Sequence, residues 1–379
     1  MYSATVVFPR LASLLAVLTV AGCAGRPPAP RPPLLPLAPA WKTLLGEFVA
    51  PPLAADGRRL FVATRDGVVR ALDPATGEVA WKAEGLPGRL SAAEGVLLVR
   101  GEDGTLTSLH PRTGAVRWTA GTGVVGTMAA VVDGDRALVP GQGLAAVELA
   151  SGRALWADLT GAPTSAPPVS AGSRLLTGEA DGTLRCRDRA TGLSLWVART
   201  GHALLAPPLV DEARRRLYLG TTDKRIVEID LDDGRRGWSW RVGADIAHAG
   251  LLRPGQVMFA SHDAVLYSLR PGGNLEWRAP LPARPLSPPL LVGGYLLLAC
   301  LENELVAFTP DTGKAAGRLR TTAEIRTAPL VVPGGLVVVG LRDRSVIAYA
   351  LPGSTAAPSA PPPVVPPAEP PVAARTPGR

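Results

Sequence analysis

Cysteine is one of the residues that this chain has least of, since only three occur among 379 residues, at positions 23, 186 and 300. Cys186 and Cys300 fall on different strand positions of two units of the repeat described below, so no disulfide is expected between them. Isolated cysteines of this kind behave as small apolar side chains. We therefore interpret both as core residues.

A hydrophobic run long enough to cross a bilayer is missing near the start of the chain. Arg10 precedes ten mostly apolar residues, Leu11 to Val20, which are too few to span a membrane. The following Val20-Ala-Gly-Cys23 resembles a bacterial lipobox, in which the cysteine becomes the lipidated N-terminus. Residues 1–23 are therefore interpreted as a signal peptide with lipidation at Cys23. The alternatives are a secretory signal cut near an Ala-x-Ala site and a buried apolar strand.

Histidine is rare, and basic charge is not concentrated in one place. The four histidines, at 110, 202, 248 and 262, lie at unrelated repeat positions without metal-like spacing, so no metal site is predicted. The net charge is +8, but most of the 40 basic residues are arginines scattered near acids. Without a basic stripe or interleaved aromatic residues, nucleic acid is not an expected partner, and only weak attraction to anionic surfaces follows.

What the chain does have is a repeated pair of phrases, seen most clearly from Asp66 to Trp81. Residues 68–73 alternate with the period of a strand, between the turn residues Asp66-Gly67 and Asp73-Pro-Ala-Thr-Gly77. Residues 78–81 then form a second short strand that ends in Trp81, whose large surface one hairpin cannot bury alone. The unit is therefore expected to pack against copies of itself.

The Gly-x-x-x-Trp phrase recurs through the chain. Its glycines are Gly77, Gly114, Gly152, Gly192, Gly234 and Gly273, its tryptophans are Trp81, Trp118, Trp156, Trp196, Trp238 and Trp277, and a seventh copy keeps Gly313 but has Gly317 in place of the tryptophan. The steps between these units are 37, 38, 40, 42, 39 and 40 residues. The turn phrase occurs eight times, and each unit opens with a phrase such as Ala50-Pro-Pro-Leu53 and an apolar run. Four short strands in each of eight units predict an all-β fold, an eight-bladed β-propeller of four-stranded antiparallel blades.

The last unit predicts how the ring closes. Its first three strands are expected at 328–332, 336–340 and 345–350, but the Pro352-Gly-Ser-Thr stretch that follows cannot form a fourth. Trp41 stands 40 residues before Trp81 and has no unit of its own. We therefore predict that Ala40 to Leu45 is the outer strand of the eighth blade, which removes an exposed sheet edge.

Several stretches of the sequence resemble catalytic, cofactor-binding or metal-binding sites. Gly121 to Gly126 matches the dinucleotide-binding fingerprint, but the next unit's first strand follows it where a helix is required, so it is interpreted as a link between blades. The aspartates of the turn phrase could be imagined as a ring of carboxylates, at 66, 103, 181 and 223, although turn chemistry is sufficient to explain them. No serine or cysteine lies in a nucleophile-elbow context. No catalytic, cofactor-binding or metal-binding residue is predicted.

The two ends of the chain differ in composition from the repeats. Residues 24–36 are Pro-rich and are expected to form an extended tether, and residues 37–351 hold the propeller. Residues 352–379 contain mainly Pro and Ala and are expected to be a disordered tail, with a polyproline ligand or a wall-reaching arm as alternatives.

Together the three phrases resemble the pyrroloquinoline-quinone-type propeller repeat, from about residue 37 to 351. That repeat occurs in quinoprotein dehydrogenases, which hold the quinone over adjacent cysteines and bind calcium beside a catalytic aspartate. This chain has neither adjacent cysteines nor an insertion long enough to roof a cofactor. Because these features of the dehydrogenases are missing, we predict a protein without catalytic activity and without a cofactor.

A lipobox before eight such repeats is similar to the propeller lipoproteins of the outer-membrane β-barrel assembly machinery. The resemblance implies a monomeric scaffold that binds protein partners, among them the barrel-assembly complex, and is lipid-anchored on the periplasmic face of the outer membrane. Ala24 agrees with that location, because an aspartate after the lipidated cysteine would retain the protein in the inner membrane. The alternatives are a quinone- or ligand-binding propeller and a cell-envelope sensor domain.

Overall fold

The computed structural model describes residues 32–354, and all regular elements within that range are β-strands. The chain divides after Pro32, and the described residues belong almost wholly to the second unit, Pro33–Arg379. Its strands form eight antiparallel sheets of four strands each, which are the blades of an eight-bladed β-propeller. The predicted fold class is confirmed.

Seven blades are built from four consecutive strands each. Blade 1 contains β2 (Val49–Ala55), β3 (Leu60–Thr64), β4 (Val69–Leu72) and β5 (Val79–Ala83); blade 2 contains β6 (Arg89–Ala93), β7 (Val96–Arg100), β8 (Thr105–Leu109) and β9 (Val116–Gly121); blade 3 contains β10 (Val131–Asp133), β11 (Arg136–Gly141), β12 (Gly143–Glu148) and β13 (Ala154–Asp158); blade 4 contains β14 (Val169–Ala171), β15 (Arg174–Gly178), β16 (Thr183–Asp188) and β17 (Ser194–Arg199). Blade 5 contains β18 (Leu209–Asp211), β19 (Arg216–Thr221), β20 (Arg225–Asp230) and β21 (Arg236–Arg241); blade 6 contains β22 (Leu251–Arg253), β23 (Gln256–Ser261), β24 (Val265–Leu269) and β25 (Leu275–Pro280); blade 7 contains β26 (Leu290–Val292), β27 (Tyr295–Cys300), β28 (Glu304–Phe308) and β29 (Ala315–Arg320).

The eighth blade joins the two ends of the described chain. It contains β30 (Leu330–Val332), β31 (Leu336–Gly340), β32 (Ser345–Ala350) and, as its outer strand, β1 (Ala38–Leu44). Strand β1 runs antiparallel to β32, with Trp41 opposite Ala348. The predicted closure by the N-terminal strand is confirmed.

Burial varies across each blade in the way that its sequence pattern predicts. The second and third strands carry the apolar runs and are almost entirely buried, as in β3 and β4. The first strands of neighbouring blades contact one another, for example β2 with β6 and β18 with β22. The fourth strand lies at the outer edge of the sheet and alternates between exposed and half-buried residues, as in β9 and β21.

An apolar cluster lies at each of the eight seams between neighbouring blades. The smallest is the seam between blades 3 and 4, where the buried residues are Leu138, Leu144, Ala146 and Leu175. Charged side chains fill much of this seam. Glu179 accepts hydrogen bonds from Arg185 at 2.6 and 3.0 Å, and Arg187 donates to Asp158 at 2.7 Å. A buried pair of this kind is costly to break, because the remaining charge would be left without a partner.

The seam between blades 7 and 8 shows what replaces the missing tryptophan at position 317. Leu35 donates its backbone N–H to Ala316 O at 3.2 Å, and its backbone lies against Gly317 where any larger residue would collide. Leu34 and Leu35 are 3% and 2% exposed and join the apolar cluster of this seam. The end of the segment expected as an extended tether is thus packed on the ring, because its leucines fill the place of an absent aromatic side chain.

The remaining predictions for the chain ends lie outside residues 32–354. These are the signal peptide, Cys23, Ala24, most of the tether and the tail from 355 to 379. No helix in the described part of the chain is long and apolar enough to cross a membrane. Cys186 and Cys300 are buried and free, as predicted. Burial raises the pKa of the Cys186 thiol to about 11 and that of Cys300 to about 12.

Candidate functional site

The predicted tryptophans and glycines meet in pairs at the seams. Each ring packs on the turn glycine of the next unit, and the pairs are Trp41 with Gly77, Trp81 with Gly114, Trp118 with Gly152, Trp156 with Gly192, Trp196 with Gly234, Trp238 with Gly273, and Trp277 with Gly313. Each indole N–H also donates to a carbonyl of the same turn, as from Trp41 to Pro74 O at 2.9 Å and from Trp238 to Pro271 O at 2.8 Å. These residues therefore hold neighbouring blades together and leave the binding surface to other residues.

The residues that resemble chemical sites in the sequence lie in turns within blades and in connections between blades. Asp66, Asp103 and Asp181 each accept a hydrogen bond from the backbone N–H two residues later, at 3.4, 3.0 and 3.0 Å. This is the Asx-turn geometry expected from the sequence. The fingerprint-like stretch from Gly121 to Gly126 links β9 to β10. Within residues 32–354, no group of three or more His, Cys, Asp or Glu side chains could hold a metal ion.

Two histidines with no evident relation in the sequence lie together in the fold. The rings of His248 and His262 are 5.8 Å apart, and Arg284 donates to His262 Nδ1 at 2.8 Å. Burial, and then the nearby His262, lower the pKa of His248. His248 lies in the connection that follows blade 5, and His262 lies in the turn between β23 and β24 of blade 6, so the pair is a structural contact between these two loops.

The cleft between blades 1 and 2 has a volume of about 820 Å³. It is lined by charges of both signs, including Arg65, Arg89, Glu102 and Asp103. Most of these groups already have partners: Arg65 lies 5.6 Å from the centre of the Phe48 ring, Arg89 donates to a backbone carbonyl, and Asp103 accepts from the Thr105 N–H. The cleft thus shows no convergent set of free polar groups of the kind that selects a ligand.

An apolar surface lies on the face of the ring where the outer strand of one blade connects to the first strand of the next. Val125, Leu159 and Leu205 occupy three successive connections and are 45%, 53% and 41% exposed. We call these three residues the connection surface. Apolar residues that are exposed on successive loops of one face are candidates for contacts with a protein partner.

Hydrogen bonds between neighbouring blades hold the connection surface in place. Gln142 donates its N–H to Val125 O at 2.8 Å, and Thr164 Oγ1 donates to Gly143 O at 3.0 Å. Ser165 Oγ donates to Leu204 O at 2.6 Å, beside Leu205. Loops fixed by such bonds lose little entropy when a partner binds.

The turn of blade 3 opens space beside this surface. It is reduced to Gly141-Gln142-Gly143, whereas the corresponding turns of the other described blades carry charged residues. Gly143 has a φ of 116°, and a Cβ there would lie 2.6 Å from Asp158 O. A longer or charged turn would cover the space between Val125 and Leu159, so this short turn keeps the apolar side chains accessible.

Sequence reasoning missed the connection surface. Leu159 directly follows the outer strand of its unit, so its position in the sequence predicts one more strand residue. The signal that could have found it is the short, uncharged Gly-Gln-Gly turn among charged ones. Exposure itself depends on how the neighbouring connections pack, and a single strand pattern does not contain that information.

The comparisons with known proteins give a consistent result. The family model described as "Outer membrane protein assembly factor BamB" matches residues 38–166, 140–286 and 262–356. The protein of that name from Burkholderia pseudomallei (strain K96243) is 25% identical over 155 residues, which are 40% of this chain and 38% of that protein. The match thus spans well under half of the length of this relative.

Solved structures agree on the fold. The crystal structure of BamB from Moraxella catarrhalis aligns with a TM-score of 0.67 at 19% identity, covering 83% of this chain and 99% of that one. A quinohemoprotein alcohol dehydrogenase from Pseudomonas putida aligns with a TM-score of 0.64 at 14% identity, covering 86% of this chain and 77% of that one. Because proteins of different function share the architecture, these likenesses establish the propeller alone.

Proposed function

Because this chain belongs to the family of outer membrane protein assembly factor BamB, whose model matches the ring from residue 38 to 356, we propose that it is a non-catalytic scaffold in outer-membrane protein assembly. It binds protein partners on the periplasmic face of the outer membrane, where the barrel-assembly complex is the principal one. This role requires shaped surfaces and no reacting group.

The connection surface is the observation that carries the proposal. Val125, Leu159 and Leu205 are exposed on one face of a rigid ring. A surface of this kind binds a partner through a few buried apolar contacts surrounded by polar residues. The scattered charges supply no strong electrostatic attraction, so apolar contact contributes most of the affinity.

Purification of the complex from native membranes tests this role. Full-length protein carrying an affinity tag should recover the barrel-assembly complex from solubilised membranes. Val125→Asp together with Leu159→Asp should reduce recovery at least about tenfold, because a carboxylate in a desolvated contact costs well over ~1.4 kcal/mol. Unchanged recovery by this double variant would contradict the connection surface as the binding site.

A matched control separates a local effect from a general effect of added charge. Val116 is 58% exposed but lies at the opposite end of its blade, next to the turn after β8. Val116→Asp should recover the complex as well as the unchanged protein. Recovery of an unrelated cell-wall partner in place of the assembly complex would reject the proposed function.

The proposed anchor is a lipid on Cys23. It would tie the ring to the membrane through the short N-terminal segment that ends at Leu34. Lipidation of one residue leaves the propeller itself on the aqueous side, which suits a protein that collects partners at the membrane surface.

A further inference from the structure

Blade 2 contains a fully buried arginine. Arg100 is the last residue of β7, and its side chain is 0% exposed. Arginine is almost never fully buried unless an acid pairs with it, but Arg100 forms no ion pair within residues 32–354. Burial lowers the pKa of Arg100, and the nearby charges of Asp103 and Glu102 offset only part of this effect. The other contacts of this side chain must therefore compensate for its burial.

Packing within the sheet does not require an arginine at this position. Arg100 lies opposite Leu106, a buried apolar residue near the start of the third strand of the blade. The residues in the same register position of the other seven blades are small or are proline. They are Ala63, Pro140, Gly178, Gly220, Ala260, Ala299 and Gly340.

The seam between blades 5 and 6 shows why a small residue fits there. Ile246, from the connection after blade 5, packs so closely on Gly220 that any Cβ at this glycine would collide with it. Between blades 2 and 3 the sizes are reversed, because the connection has Gly126 and the blade has Arg100. A Cβ at Gly126 would lie 3.5 Å from Arg100 Nη2. The arginine thus occupies the place that an apolar side chain of the connection fills elsewhere.

The guanidinium holds this connection through hydrogen bonds. Arg100 donates from Nη2 to Val124 O at 2.8 Å and from Nη1 to Gly126 O. Nη1 also reaches Gly101 O at 3.4 Å, whereas Nε has no partner within residues 32–354. A planar group with rigidly placed donors suits two carbonyls that flank a single residue.

The residue between those two carbonyls is Val125, which is 45% exposed and belongs to the connection surface. Its own carbonyl accepts from the Gln142 N–H of blade 3 at 2.8 Å. Val124 is buried on one side of Val125, but Gly126 on the other side has no side chain. Hydrogen bonds from blades 2 and 3 therefore fix that side of the loop.

We propose that Arg100 is the residue that positions Val125 for contact with a protein partner. It holds the backbone on both sides of Val125, so the loop loses little conformational entropy when a partner binds. Arg100 is itself buried and touches no partner, so it acts through Val125. This inference rests on the proposed function and adds to it a positioning residue below the connection surface.

Amide hydrogen exchange of the purified protein tests the contact without a partner. Arg100→Met fills similar space but cannot donate, so exchange at Gly126 and Gln142 should become at least about tenfold faster, while exchange in β7 and β11 should not change. Arg70→Met is the matched control, because Arg70 is 8% exposed and donates to Thr64 Oγ1 at 2.7 Å within blade 1. It should leave exchange at Gly126 and Gln142 unchanged.

Recovery of the barrel-assembly complex from solubilised membranes tests the effect on binding. Arg100→Met should lower recovery at least about threefold, because a mobile loop must be ordered when the partner binds. In a chain that carries Val125→Asp, adding Arg100→Met should lower recovery no further, since Arg100 acts only through Val125. Arg100→Lys keeps the charge but donates to one carbonyl, so both effects should be intermediate. This variant decides the matter if Arg100→Met fails to fold.

The outcomes separate this inference from the proposed function. Unchanged exchange at Gly126 and Gln142, or a further loss of recovery when Arg100→Met is added to Val125→Asp, would overturn the positioning role of Arg100 alone. Unchanged recovery by Arg100→Met would do the same if Val125→Asp with Leu159→Asp lowers recovery. Unchanged recovery by all of these variants would overturn the connection surface as the binding site, and this inference with it.

Discussion

At the scale of single residues, each seam depends on a contact between a large ring and a glycine. Trp118 packs on Gly152, whose φ is 76°, and a Cβ at that glycine would lie 2.6 Å from the indole ring. The glycine therefore serves two purposes. It adopts a backbone conformation that other residues reach at a cost of about 1 kcal/mol, and it leaves room for the tryptophan.

We predict that Gly152→Ala lowers the free energy of unfolding by about 2–4 kcal/mol, because it adds a collision with Trp118 to the backbone strain. Gly95→Ala is the matched control: Gly95 has a φ of 71°, and a methyl group added there would meet nothing within 4 Å. That variant should lose only about 1 kcal/mol. Urea denaturation measures both, and equal losses would contradict the role of the tryptophan contact.

The charged seam between blades 3 and 4 predicts a dependence of stability on pH. Burial acts to raise the pKa of Asp158, but hydrogen bonds from Thr160 and the Arg187 guanidinium outweigh it and lower the pKa to about 2. A lowered folded-state pKa stabilises the fold above the ordinary value of 3.8, and this contribution is lost as the pH falls toward 2.

Asp158→Asn should therefore be less stable than the unchanged protein at pH 7, and the difference should shrink between about pH 4 and pH 2 as Asp158 becomes protonated. Denaturant midpoints measured across this range provide the test. A difference that stays constant down to pH 2 would show that the carboxylate charge does not stabilise this seam.

At the scale of elements, the N-terminal strand completes the ring. Strand β1 pairs with β32 along its length, and the Trp41 side chain is 5% exposed. Leu34 and Leu35 extend the same role to the neighbouring seam, where Gly317 leaves a place for them. The first described residues thus stabilise two seams, although they are far in sequence from the blades that they complete.

Deleting residues 24–48 should lower stability by at least about 3–5 kcal/mol, the cost of losing a buried tryptophan, and more because a strand and two leucines are also lost. Deleting residues 355–379 leaves all 32 described strands in place and should leave the melting temperature nearly unchanged. Thermal unfolding of the two truncated proteins compares them directly. Equal melting temperatures would contradict closure by β1.

At the scale of the whole molecule, the ring separates attachment from recognition. Seven blades of consecutive strands and one blade shared between the two ends of the described chain are joined at eight seams, so a partner contacts loops and strand edges that neighbouring blades support. The proposed lipid on Cys23 would determine only where this body resides. Attachment and folding should therefore be separable by mutation.

Cys23→Ser should move the protein from the membrane fraction to the soluble fraction of the cell envelope, because its one proposed anchor is lost. The circular dichroism spectrum and melting temperature of the purified ring should not change. Fractionation followed by immunoblotting measures the distribution. Continued membrane association at high salt would show that Cys23 is not the anchor.

The sequence by itself determined the architecture. Period-two alternation, turn residues and a tryptophan every 40 residues or so repeat often enough to specify blade number and strand order, and the surplus Trp41 reveals how the ring closes. These features depend on local backbone chemistry, and each unit of the repeat contains them again.

Only the tertiary structure decided which surfaces are available and which seams are polar. The exposure of Leu159, the burial of Leu35 and the meeting of Arg187 with Asp158 all depend on residues from neighbouring blades or from the opposite end of the chain. A leucine at the same strand position packs into a seam in one blade and is exposed at the edge of the next, as Leu155 and Leu195 are. Burial is a property of the assembled ring, because it is determined by what packs against a side chain and not by the strand that carries it.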